Sequence, residues 1–165
     1  MYDWMSTNVG GLPFALLGAA IAYAFPATAS GVGSRMVAEA ANGLLTEDPK
    51  KFGQCLLLQA ITATQAIYGL IIAFLILLKV GIIGGNPMMD LPVKTGLLFL
   101  CASLPVGIAA FTTGISQGRA AAAGIGLVAK RPEEVGKSAI HAVMIETNQI
   151  LGLLVSFLMW LGIPV

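Results

Sequence analysis

Four long apolar runs, residues 12–34, 52–78, 95–118 and 138–165, alternate with short polar segments along this chain. Each run exceeds the ~20 residues a helix needs to cross a bilayer at ~1.5 Å per residue. Pro49 and Pro132 mark tight turns between the runs of each pair. Ala-rich stretches at 38–41 and 120–123 carry the first and third runs beyond Arg35 and Arg119 as helix. The pattern predicts four transmembrane helices at about 12–45, 51–79, 94–129 and 133–162. They pair into a first hairpin (residues 1–90) and a second (91–165). Pro26 and Pro105 lie inside the first and third, where a missing N–H should weaken or kink the helix.

Composition supports a membrane solvent. Of 165 residues, 57% are hydrophobic and 10% charged, against about 45–50% and 25% in soluble domains. The net charge of +1 offers no field for nucleic acid. Cys55 and Cys101 both fall in apolar stretches, so both are expected as free, buried thiols and neither as part of a disulfide scaffold. No basic residue precedes Arg35, so the first run is read as a retained span rather than a cleaved signal. The two turns carry Lys50, Lys51, Lys130, Arg131 and Lys137, whereas the opposite side offers only Lys79 and Lys94. The positive-inside rule therefore puts the hairpin loops in the cytoplasm and both termini outside.

The two hairpins are copies. An offset of 83 pairs Pro49 with Pro132, and equally Gly31 with Gly114, Gly43 with Gly126, Gly53 with Gly136, Thr64 with Thr147, Gly69 with Gly152 and Phe74 with Phe157. Because the offset spans an even number of helices, the repeats run parallel; inverted repeats are the pattern of many alternating-access carriers. Small residues crowd the first and third spans, permitting close backbone approach in lipid. Bulky Leu, Ile, Phe and Trp160 fill the second and fourth. Both a ring with a small-residue inner layer and a simple four-helix bundle accommodate this.

One asymmetry breaks the repeat: Glu146 aligns with Ala63. A charge at mid-membrane is costly and marks function. Glu146 lies 14 residues after Pro132, Gln117 lies 15 before it, and Gln65 lies 16 after Pro49. One carboxylate and two amides thus share a depth. Thr64 adjoins Gln65, and Ile61, Thr64, Gln65 and Tyr68 follow i, i+3, i+4, i+7 spacing on one helix face. Oxygen donors of this kind suit a small hard cation. Thr62 and Thr64 can perturb helix bonding and leave the Ile61 carbonyl as a further donor. A monovalent cation against one carboxylate leaves the site neutral. Tyr68 is placed to donate its hydroxyl to Glu146. Taken singly, the polar residues are compatible with interhelical hydrogen bonding alone. His141 reads as a polar residue nearer the interface, Arg35 as snorkelling beside Glu39, and Asn148 and Gln149 as candidate extensions of the network.

Thr64-Gln65 with Tyr68, the run Gly114-Ile115-Ser116-Gln117-Gly118-Arg119, and Ile145-Glu146-Thr147 resemble the duplicated proteolipid, the K or c subunit, of V-type rotary ATPases. The resemblance covers essentially the whole chain and implies an all-α membrane protein assembling into a homo-oligomeric rotor ring in a bacterial plasma membrane. It implies Glu146 as ion carrier; Thr64, Gln65, Gln117 and the Ile61 carbonyl as Na+ ligands; and Tyr68 as the lock on the liganded glutamate. It implies, as partners, identical subunits, lipid, a stator membrane subunit with an essential arginine that displaces the ion, and central-stalk subunits at the loops near Pro49 and Pro132. ATP hydrolysis would occur on other subunits, consistent with the lack of a G-x-x-x-x-G-K-[ST] loop here. The alternatives are the same ring carrying H+ and, more distantly, a small proton-coupled four-helix exporter.

Overall fold

The computed structural model describes residues 10–165; Asp3 and the rest of the N-terminal end of the first hairpin lie outside the described residues. Five α-helices follow in order: α1 (Leu12–Glu47), α2 (Phe52–Thr62), α3 (Thr64–Lys79), α4 (Val93–Lys130) and α5 (Val135–Leu161). Single 3-10 turns, Pro49–Lys51 and Pro132–Glu134, open the return leg of each hairpin. Both begin on proline, whose fixed φ and absent N–H suit the first helical position. With those turns included, four spans are long and apolar enough to cross a membrane: Leu12–Glu47, Pro49–Lys79, Val93–Lys130 and Pro132–Leu161. At ~1.5 Å per residue, α1 and α4 reach roughly 55 Å, well beyond a ~30 Å hydrocarbon core. No strand occurs among the described residues.

The long helices α1 and α4 pack side by side as one layer, and glycine sets how close they come. A Cβ on Gly118 would fall inside the backbone of Gly33, and one on Gly33 would lie 2.8 Å from the Gly114 carbonyl oxygen. Such contacts recover dispersion energy where lipid supplies no hydrophobic drive between helices. The returning legs cover this layer unevenly. Ile67, Leu70, Phe74, Leu151, Leu154 and Leu158 point outward, as befits an apolar solvent.

The duplication is legible in the packing. Gly69 seats against Ala22 and Pro26, while Gly152 seats against Pro105 and Ala109. Those are equivalent positions at the 83-residue offset, with the proline moved by one turn. Both prolines lie within an uninterrupted helix. Gly69 makes room for the Pro26 ring and Gly152 for the Pro105 carbonyl, and behind Pro105 the Val106 N–H donates to Ser156 Oγ at 2.9 Å. The second span breaks instead at Ala63, where the Ala63 N–H bonds back to the Ala60 carbonyl at 3.1 Å in a tightened turn.

Cys55 is buried, as expected, but Cys101 is exposed. On α4 the buried positions Phe99, Ala102, Ser103 and Val106 face α1 and the returning legs, and position 101 falls on the other side. In a membrane an apolar neighbourhood does not imply burial in protein, because lipid is equally apolar.

Candidate functional site

Glu146 lies on the inward face of α5, about four turns beyond the Pro132 turn, and is 6% exposed. Side chains from α3 and α4 converge on it in a line. Thr113 Oγ1, which donates to the Ala109 carbonyl at 2.7 Å, lies 3.2 Å from Gln65 Oε1. Gln65 Nε2 donates to Gln117 Oε1 at 2.9 Å. Gln117 Nε2 donates to Glu146 Oε2 at 3.3 Å. From the other side, Tyr68 Oη donates to Glu146 Oε1 at 2.5 Å. Gln65 and Gln117 are fully buried. Every donor in this line points toward the carboxylate, so the network is polarised to hold negative charge.

The helix break supplies the neighbouring oxygens. Thr64 Oγ1 donates to the Ile61 carbonyl at 2.9 Å, and Thr62 Oγ1 to the Gln59 carbonyl at 2.7 Å. Both hydroxyls compete with the backbone ladder, which is how threonine loosens a helix. The structure therefore joins Gln65, Gln117, Tyr68 and Glu146 directly. It brings Thr64 and Ile61 together at the break beside Gln65, with their hydrogen bond to each other rather than to Glu146.

Thr113 joins the site without having stood out in the sequence; its one signal is a place four residues before Gln117, on the same helix face. Gln149 does not extend the network: its amide donates to the Val106 carbonyl at 3.3 Å. Asn148 and His141 are exposed. Arg35 pairs with Glu39 at 3.5 Å, both well exposed. In the first hairpin the corresponding place is occupied by hydroxyls: Ser30 Oγ donates to the Thr62 carbonyl at 2.9 Å, and Ser34 Oγ lies 2.8 Å from Thr62 Oγ1. Among the described residues no three His, Cys, Asp or Glu side chains gather. The donors at Glu146 are one carboxylate and neutral oxygens, a set whose charge matches a monovalent cation rather than a divalent one.

The family model for the C subunit of ATP synthase matches residues 17–76 and again residues 100–159, two segments displaced by 83 positions. The chain belongs to this ATP synthase C family. Within that family it is 45% identical over 162 residues to the V-type sodium ATPase subunit K of Enterococcus hirae, covering 98% of this chain and 99% of the relative. It is 39% identical over 151 residues to the A-type ATP synthase subunit K of Methanocaldococcus jannaschii, covering 92% of this chain and 64% of that relative. Membership of the family and the four apolar spans make the chain an integral membrane subunit of a rotary ATPase. The double match identifies the repeated hairpin as the family's own unit.

Proposed function

We propose that this chain is the rotor-ring subunit of a V-type ATPase and carries Na+ across the membrane on Glu146 as the ring turns. The observation that carries the reading is the buried carboxylate on α5 with a polarised line of neutral donors from α3 and α4. Kinship to a sodium ATPase subunit over nearly the whole chain supports the choice of ion. A cation at this site takes the oxygens of Gln65 and Gln117 in exchange for the hydrogen bonds they accept, with Thr64 and the Ile61 carbonyl completing the shell. Tyr68 holds the carboxylate in the loaded pose.

The chemistry of transport follows from charge. The loaded site sums to zero and can face lipid, whereas an empty, ionised Glu146 meets the full cost of a charge in hydrocarbon. Only where a positive group stands opposite can the ion leave, and an arginine of a stator membrane subunit has the charge to take its place. In this reading ATP is hydrolysed on other subunits. The chain divides into hairpins 1–90 and 91–165, with the loops near Pro49 and Pro132 in the cytoplasm against the central stalk. Both termini lie outside, in a bacterial plasma membrane.

The test is Glu146→Gln in the assembled complex. The amide keeps the shape but carries no charge, so ATP-driven Na+ uptake into vesicles is expected to vanish. Wild-type uptake would refute the assignment. The second reading, the same ring carrying H+, predicts that uptake of protons persists without sodium and that Gln65→Ala has little effect.

A further inference from the structure

The second span is broken and the fourth is not, although the two are copies. At the 83-residue offset Thr64 corresponds to Thr147, and Thr147 sits inside an uninterrupted α5 (Val135–Leu161). A threonine at that position is therefore not enough to break the leg. The difference lies two residues earlier, at Thr62, whose counterpart is Ile145.

Thr62 is fully buried and is held from two directions. Its hydroxyl gives its one proton back to the Gln59 carbonyl at 2.7 Å. It is therefore the acceptor toward Ser34 Oγ, 2.8 Å away, and Ser34 is the donor. The Thr62 carbonyl accepts from Ser30 Oγ at 2.9 Å. Ser30 and Ser34 are four residues apart on one face of α1. A hydroxyl inside a helix commonly bonds back along its own helix, as Thr28 does to the Ala24 carbonyl at 2.8 Å. These two serines reach across to the break instead. Buried groups at this depth are costly to leave unpaired, so the bonds hold the turn firmly.

The same turn carries the Ile61 carbonyl, the Thr64 hydroxyl and Gln65, whose amide leads through Gln117 to Glu146. The repeat gives the two serines a further meaning. Ser30 and Ser34 are the counterparts of Thr113 and Gln117, which in the second hairpin meet Gln65 at the ion site. One pair of positions thus supplies side chains to the site in one hairpin and secures the broken turn in the other.

We propose that Ser30 and Ser34 are positioning residues of the ion site. They tie Thr62 to α1 and so fix where the broken turn holds the Ile61 carbonyl and the Thr64 hydroxyl. They touch no ion themselves, and the inference rests on the Na+ reading of that site. Discrimination between cations follows from cavity size, ligand number and flexibility. Oxygens held in place favour the ion whose size they fit. Releasing the turn lets them close on the smaller Li+, so ion preference as well as affinity depends on α1.

Equilibrium binding of radiosodium to the purified full-length rotor oligomer, with Li+ as competitor, tests this. With Ser30→Ala and Ser34→Ala together, the oligomer should stay intact and the dissociation constant for Na+ should rise roughly 3- to 10-fold. The preference for Na+ over Li+ should fall with it. Should the double variant not assemble, Ser34→Ala alone is measured in the same way. Unchanged affinity in an intact oligomer, or weaker affinity with an unchanged Na+/Li+ ratio, overturns the positioning role while leaving the site standing. An unsubstituted oligomer that binds no Na+ overturns the reading of the site and this inference with it.

Discussion

Tyr68→Phe removes one hydroxyl and leaves the ring that fills its place. The lost group donates to Glu146 Oε1 at 2.5 Å, and Gln117 then remains as the donor to the other oxygen at 3.3 Å. A hydrogen bond to a charged group contributes about 1.5–3 kcal/mol, and one between neutral groups about 0.5–1.5. Only the difference bears on ion binding, because the same hydroxyl also helps the protonated carboxyl. That difference is about 1–1.5 kcal/mol, and 1.4 kcal/mol is tenfold in affinity, so the dissociation constant for Na+ should rise roughly 5- to 10-fold. Equilibrium binding of radiosodium to the purified rotor reads this directly. Since phenylalanine leaves no large cavity, the oligomer should stay intact and its thermal stability change little. An unchanged Na+ affinity in an intact oligomer would refute the role given to the hydroxyl.

Other substitutions probe the remaining parts. Gln117→Ala orphans Gln65 Nε2 and takes a donor and an oxygen from the site, so ATPase activity should need at least about tenfold more sodium for half its maximum, on about 1.5–3 kcal/mol per bond to charge. Thr113→Val removes the hydroxyl beside Gln65 Oε1 but spares the carboxylate; interhelical polar contacts in membranes average about 0.6 kcal/mol, so the same titration should move by roughly threefold or less. Gly118→Val drives a side chain into the Gly33 backbone, and overpacking of about 1–3 kcal/mol or more should lower the yield of assembled oligomer in a detergent extract. Ser156→Ala removes the hydroxyl that accepts the Val106 N–H across the helix contact and should lower the melting temperature while Na+ affinity holds.

Much of this architecture is written in spacing. Four apolar runs and two turn prolines place the helices, and counting residues from Pro49 and Pro132 puts Gln65, Gln117 and Glu146 at one height, where the structure has their side chains meeting. That works because a hairpin of two straight helices converts residue number into depth at a constant rise. What spacing does not contain is which side of a helix faces protein. Cys101 and Asn148 sit in runs as apolar as those around Cys55 and Gln65, yet they face outward, since hydropathy does not distinguish lipid from protein interior. Spacing likewise does not show that Gly69, far away in sequence, packs on the Pro26 ring. The break at Ala63 has no proline or glycine to announce it and comes from threonine hydroxyls bonding backward on either side.

Sodium protection of Glu146 against a hydrophobic carbodiimide, in native membranes and across pH, tests the central claim most directly. The reagent attacks a protonated carboxyl within the membrane, and a bound cation excludes that proton. Glu146 should be labelled in the absence of sodium, added Na+ should slow the labelling, and more Na+ should be needed as the pH falls. Labelling that proceeds equally fast at every Na+ concentration would contradict Na+ binding at Glu146 and make the ring a carrier of protons.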